Sequence, residues 1–135
     1  KYVLPLMRKN KRGAIVNVSS VVGFRGTPYL AAYGAAKAGL ISLTQTSAIE
    51  AAPNVRVNCV APGAVMTPAT KTALPSKELR EETSKTIPLK RIAEPNEIAS
   101  IIAFLLSDES SYLTGICIAA DGGKTIDLNA GISME

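Results

Sequence analysis

Ser20-Val21-Val22-Gly23-Phe24-Arg25-Gly26-Thr27-Pro28-Tyr29-Leu30-Ala31-Ala32-Tyr33-Gly34-Ala35-Ala36-Lys37 is the most informative run in this chain of 135 residues. A serine closes an apolar segment, a tyrosine follows thirteen positions later, and a lysine four positions after that. If Leu30 to Ala52 forms one helix, Tyr33 and Lys37 stand at i and i+4 and share a face, about 5–6 Å apart at Cβ. An ammonium beside a phenol favours the phenolate, which suits proton transfer near neutrality better than an isolated phenol does. A serine at the end of the neighbouring strand can hydrogen-bond the same substrate oxygen. Tyr29 is a false lead, because Tyr33 rather than a lysine lies four residues on. Ser19 is another, because thirteen residues on is Ala32, and strand alternation predicts that Ser19 and Ser20 point oppositely.

Outward from this run, the elements alternate. Lys1 to Asn10 reads as the tail of a helix with no cap before it, which implies a chain that opens in mid-element. Lys11-Arg12-Gly13 is a turn. Ala14 to Ser19 is short, β-branched and apolar on both faces, which predicts a buried parallel strand. Gly23 to Pro28 is a loop. The long helix ends before Pro53, and Asn54 to Ala61 is a second strand that runs into Pro62-Gly63. Residues 67–90 are polar, carry three prolines, and contain one short helix over Ser76–Thr86; this segment is expected to cover a site. Glu94-Pro95-Asn96-Glu97 starts another helix, with its acids where the dipole favours them. Its stripe of Ile98, Ile101, Ile102, Leu105 and Leu106 is expected in the core. Gly115 to Ala120 is a third strand, and Thr125–Glu135 shows no period. Strand, helix, strand, helix, strand predicts an α/β fold with a parallel sheet and right-handed crossovers.

Composition narrows the chemistry. Apolar residues make up 47% of the chain and charged residues 19%, the balance of a globular domain. No histidine is present, so Ser-His-Asp, Cys-His and His-based zinc sites cannot be built from this chain alone. Cys59 and Cys117 each sit in apolar runs and read as buried thiols, not as a disulfide or a metal pair. The net charge of +4 is dispersed, apart from Arg8-Lys9-Asn10-Lys11-Arg12. That cluster reads as a solvated helix end, because no aromatic cluster accompanies it for base stacking on a nucleic acid. No apolar run reaches the roughly 20 residues of a membrane span. A cytoplasmic protein with no metal, nucleic-acid or membrane partner is the expectation. Gly123-Lys124-Thr125 hints at a phosphate loop, but such a loop needs a glycine where Ile118 stands.

Ser20, Tyr33 and Lys37 at these spacings resemble the active-site signature of the short-chain dehydrogenase/reductase family. Val60-Ala61-Pro62-Gly63-Ala64-Val65-Met66-Thr67 resembles its cofactor loop, and Asp121-Gly122-Gly123 its closing motif. The likeness runs from about Leu4 to Lys124 and corresponds to the C-terminal part of a doubly wound, Rossmann-like domain, here residues 1–135. It implies an NAD- or NADP-dependent oxidoreductase that interconverts an alcohol and a ketone. Tyr33 would exchange the proton, Lys37 would ease that exchange and bind the nicotinamide ribose, and Ser20 would hold the substrate oxygen. Tyr33, Lys37, Pro62, Gly63, Val65 and Thr67 would meet the cofactor, with the Val65 backbone at the nicotinamide amide. A homodimer or homotetramer is implied as well. Absent are the family's glycine-rich phosphate loop, the residue that sorts NAD from NADP, and the fourth catalytic residue, an asparagine; Asn17 lies on the wrong element to replace it. A non-catalytic fragment that acts only by association is the alternative, since the chain would leave the edge of its first strand and an apolar face of its first helix uncovered.

Overall fold

The computed structural model describes residues 2–127. The tail beyond Asp127 lies outside the described residues. Helix α1 (Val3–Lys9) leads through a turn at Lys11, whose φ is 53°, into strand β1 (Gly13–Val18). A 3₁₀ turn (Val21–Gly23) and a loop follow, then the long helix α2 (Ala31–Ala51), close to the span its alanine-rich sequence predicts. Strand β2 (Val55–Pro62) comes next, then two short helices, α3 (Pro68–Ala73) and α4 (Lys77–Lys85). Helix α5 (Pro95–Leu106) and strand β3 (Cys117–Ala120) complete the described fold. The 67–90 segment thus holds two helices rather than the one expected. Both start with a hydroxyl cap, Thr67 for α3 and Ser76 for α4.

The three strands form a parallel sheet in the order β1-β2-β3. β2 is central and most buried, and side-chain alternation divides its apolar residues between two cores. Val55 and Val57 pack with Ala48 and Ala51 of α2 and with Leu4 and Met7 of α1. Val60 packs with Ile98 and Leu105 of α5. Each fully buried valine contributes on the order of 1.5–3 kcal/mol of transfer free energy. Asn58, also fully buried, is satisfied: Nδ2 donates to Leu113 O (2.8 Å) and Oδ1 accepts from Ile116 N–H (3.3 Å).

Two expectations change. β1 is half-buried rather than buried, because its outer edge has no strand partner among the described residues. Val3 and Leu6 of α1 and Val18 at the end of β1 are exposed, in keeping with an uncovered helix face and strand edge. Leu106 is 48% exposed, since successive helix positions are about 100° apart and Leu105 takes the inward one. Cys59 and Cys117, remote in sequence, are register partners on adjacent strands, although both thiols are free. Burial, reinforced by hydrogen bonding with Cys59, pushes the Cys117 thiol up to about 12 and keeps it protonated.

Candidate functional site

The carboxyl ends of β1 and β2 open onto a cleft of about 410 Å³. Open α/β sheets bind ligands in this place. Ser20, Tyr33, Lys37, Pro62, Gly63, Val65 and Thr67, all singled out in the sequence, line it together. Ser19, Thr70, Pro95 and Ile98 line it too and were not anticipated there. The signal for Thr70 was its place three residues after a threonine cap; Ile98 had read only as core.

One wall is built by β1 and α2. β1 ends at Val18, and the Ser19 N–H donates to Val60 O at 2.7 Å. Both serines lie just past the strand end and line the cleft. Their bonds still separate them. Ser19 Oγ donates to Lys37 O at 2.7 Å and is committed to holding α2. Ser20 is extended and caps the 3₁₀ turn, its Oγ accepting from the Val22 N–H at 3.3 Å. An acceptor role leaves the Ser20 hydroxyl proton available to a substrate oxygen.

The 3₁₀ turn sits directly on α2. A Cβ at Gly23 would stand 2.9 Å from Lys37 C and 3.0 Å from Ala38 N, so only glycine allows this approach. Lys37 Nζ donates to Val18 O at 3.0 Å and lies 5.5 Å from the centre of the Tyr33 ring. The ammonium is thus pinned to the strand end beside the phenol, with two of its three donors left for other partners. Tyr33 itself is 46% exposed, open to the cleft on one side. Tyr29 is fully exposed and lines no part of it. Asn17 Nδ2 donates to Thr44 Oγ1 at 2.9 Å, a fastening between β1 and α2, and neither residue lines the cleft.

The second wall is the Pro62–Thr67 loop. A Cβ at Gly63 would come within 2.8 Å of Asp121 Cβ and 2.9 Å of Asp121 Cα. The glycine is needed because the two strand ends converge here. Val65 forms a parallel bridge with Ala93, and the Met66 N–H donates to Ala93 O at 2.8 Å. Thr67 Oγ1 accepts from the Thr70 N–H at 3.2 Å and lies 3.1 Å from Thr70 Oγ1.

The Asp121-Gly122-Gly123 turn supports this wall from behind. Burial of the Asp121 carboxyl opposes its ionisation, but bonds from Thr125 and the Gly123 backbone outweigh that and hold its pKa below the usual range. Both glycines have positive φ, 64° and 90°, which side chains rarely adopt. Their bare backbones lie against Ile87 and Pro88. The Leu89 N–H donates to Gly122 O (3.2 Å), and Lys124 Nζ to Thr86 O (2.9 Å). The 67–90 segment is thereby tied to the end of β3.

A family model described as enoyl-(acyl carrier protein) reductase matches residues 1–125. The chain is 53% identical over 125 residues to the 3-oxoacyl-(acyl-carrier-protein) reductase FabG of Thermotoga maritima, covering 92% of this chain and 50% of that protein. The ligand-free aldohexose dehydrogenase of Thermoplasma acidophilum superposes with a TM-score of 0.90 at 34% identity, over 99% of this chain and 55% of that one. The structure of ElxO with NADP bound superposes with a TM-score of 0.85, also at 34% identity, over 93% and 52%. The chain spans about half the length of the relatives it matches. With the serine, tyrosine and lysine gathered at the mouth of a parallel sheet and a family match over almost its whole length, this chain belongs to the short-chain dehydrogenase/reductase family.

Proposed function

We propose that the protein of which this chain forms part is an NAD(P)-dependent oxidoreductase that interconverts an alcohol and a ketone. The carrying observation is the convergence of Ser20, Tyr33 and Lys37 with the Pro62–Thr67 loop on one cleft. The donor set suits a nicotinamide nucleotide: Lys37 has ammonium protons to spare for ribose hydroxyls, and Thr67 offers a hydroxyl. When bound, such a cofactor supplies or accepts the hydride. The protein's part is proton transfer and charge stabilisation. In the reductive direction, the substrate carbonyl oxygen gains charge as its carbon is reduced. The Tyr33 hydroxyl donates a proton to that oxygen, while the Ser20 hydroxyl donates a hydrogen bond to it. The Lys37 ammonium, fixed by Val18 O, stabilises the phenolate that Tyr33 becomes. In the oxidative direction the same groups act in reverse.

In this proposal α3 and α4 cover the substrate, and the partners are a small alcohol or carbonyl compound and further copies of the chain. The second-copy surface is α2, which exposes Leu43 and Ile49 and carries only Lys37 and Glu50 as charged residues along its 21 positions. A cytoplasmic location belongs to the same reading; among the described residues, no helix is long and apolar enough to cross a membrane.

The test is reduction of a ketone panel by the intact protein, followed as NADH or NADPH consumption. Turnover supports the proposal, and no turnover with either cofactor overturns it. A non-catalytic associating fragment is the second reading, favoured by the exposed β1 edge and the uncovered Val3 and Leu6. Cofactor titration distinguishes the two: absence of binding at millimolar cofactor supports association alone.

A further inference from the structure

We infer that Ser19 is a positioning residue for the proposed proton transfer: its buried hydroxyl fixes the Lys37 backbone and so keeps the Lys37 ammonium beside the Tyr33 phenol. The inference rests on the oxidoreductase reading and deepens it.

Ser19 is only 4% exposed, although it lines the same cleft as Tyr33 and Lys37. Its N–H donates to Val60 O at 2.7 Å, which ties its backbone to the central strand. From that fixed base its Oγ donates to Lys37 O, also at 2.7 Å. A mid-helix carbonyl already has a partner in the N–H four residues on. The serine therefore adds an anchor between sheet and helix and does not merely fill an empty acceptor. The preceding residue holds the other end of the same lysine, since Lys37 Nζ donates to Val18 O at 3.0 Å. Gly23 closes a third side, where an added Cβ would stand 2.9 Å from Lys37 C. Backbone and ammonium of Lys37 are thus both referred to the end of β1, with the ammonium 5.5 Å from the centre of the Tyr33 ring. Among the described residues that line the cleft, Lys37 alone carries a charge. A shift of α2 at this point moves the one cation that faces the phenol, and Coulomb energy varies with separation.

A buried hydroxyl also needs a partner on structural grounds alone, and a control separates the two roles. The bond from Asn17 Nδ2 to Thr44 Oγ1 is a second fastening between β1 and α2. Thr44 is as deeply buried as Ser19, at 1% exposed, but does not line the cleft.

The experiment compares Ser19→Ala with Thr44→Val in the intact protein, using a ketone that the unmodified protein reduces and the alcohol formed from it. Both variants should lose stability to denaturant. Only Ser19→Ala should lower kcat, by about three- to tenfold. It should also move the rising limb of kcat/KM for alcohol oxidation to higher pH, because a displaced ammonium stabilises the phenolate less. Thr44→Val should leave that limb in place. An unmoved limb in Ser19→Ala, or equal movement in both variants, overturns the positioning role, while continued turnover leaves the oxidoreductase reading intact. No turnover by the unmodified protein with either cofactor overturns both.

Discussion

The two walls of the cleft are built by different means. The β1–α2 wall carries Ser20, Tyr33 and Lys37 on segments that are continuous in sequence, with spacings of thirteen and four. Its closeness depends on one missing side chain, at Gly23, and on two short bonds across the joint, Ser19 Oγ to Lys37 O and Lys37 Nζ to Val18 O. The Pro62–Thr67 wall leans on remote chain: Gly63 on Asp121, Val65 and Met66 on Ala93. The proposed proton chemistry thus rests on a local scaffold, and the proposed cofactor contacts on a long-range one. Damage to each should show in a different kinetic quantity.

Tyr33→Phe is the sharpest cut, because it removes one oxygen and leaves the scaffold alone. Turnover in the intact protein should fall by about 10²–10⁴-fold, with cofactor affinity by fluorescence titration little changed. Retained turnover would break the assignment of Tyr33.

A pair of glycine replacements tests the division itself. Gly23→Ala forces a methyl against the α2 backbone, and Gly63→Ala forces one against Asp121. Each should cost about 1–3 kcal/mol of stability by overpacking, read from chemical denaturation. Gly23→Ala should lower kcat more than it weakens cofactor binding, and Gly63→Ala should do the reverse. Identical kinetic profiles for the two variants would show that the walls move as one body.

Smaller still is Thr67→Val, which deletes the cap of α3. It should destabilise that helix by about 1 kcal/mol, visible as faster hydrogen exchange at the Thr70 amide.

The mildest effect belongs to pH. Two bonds from Arg91, each 2.6 Å, and one from the Glu94 N–H hold the Glu97 carboxyl down to about 2. A depressed carboxyl contributes stability that is full above its unfolded value of about 4.5 and lost as pH falls towards about 2. Because the pair is exposed, the effect is small. Glu97→Gln should flatten the acid limb of the stability profile in that window, and an unchanged limb would show that this pair adds nothing to stability there.

Much of this was legible beforehand. The Tyr33 and Lys37 spacing, the breaks at Pro53 and Glu94, and the β-branched strands all depend on neighbours within a few positions. Ser19 and Ser20 both lie past the end of β1, and what separates them is their bonding: Ser19 Oγ donates to Lys37 O, and Ser20 Oγ accepts from the Val22 N–H. The exposed Leu106 and the half-buried β1 were misread because burial depends on what lies across a face, which local apolarity does not reveal.

Chain order and residue type alone settled the parallel α/β pattern and the family signature, since helix and strand periods are set by backbone geometry over short runs. Tertiary structure decided that Gly63 meets Asp121, that Cys59 faces Cys117, that Ser19 locks Lys37, and that Arg25 reaches Thr125. Those contacts join segments far apart along the chain, and their positions follow from how the strands register and the helices pack, not from any spacing in the sequence.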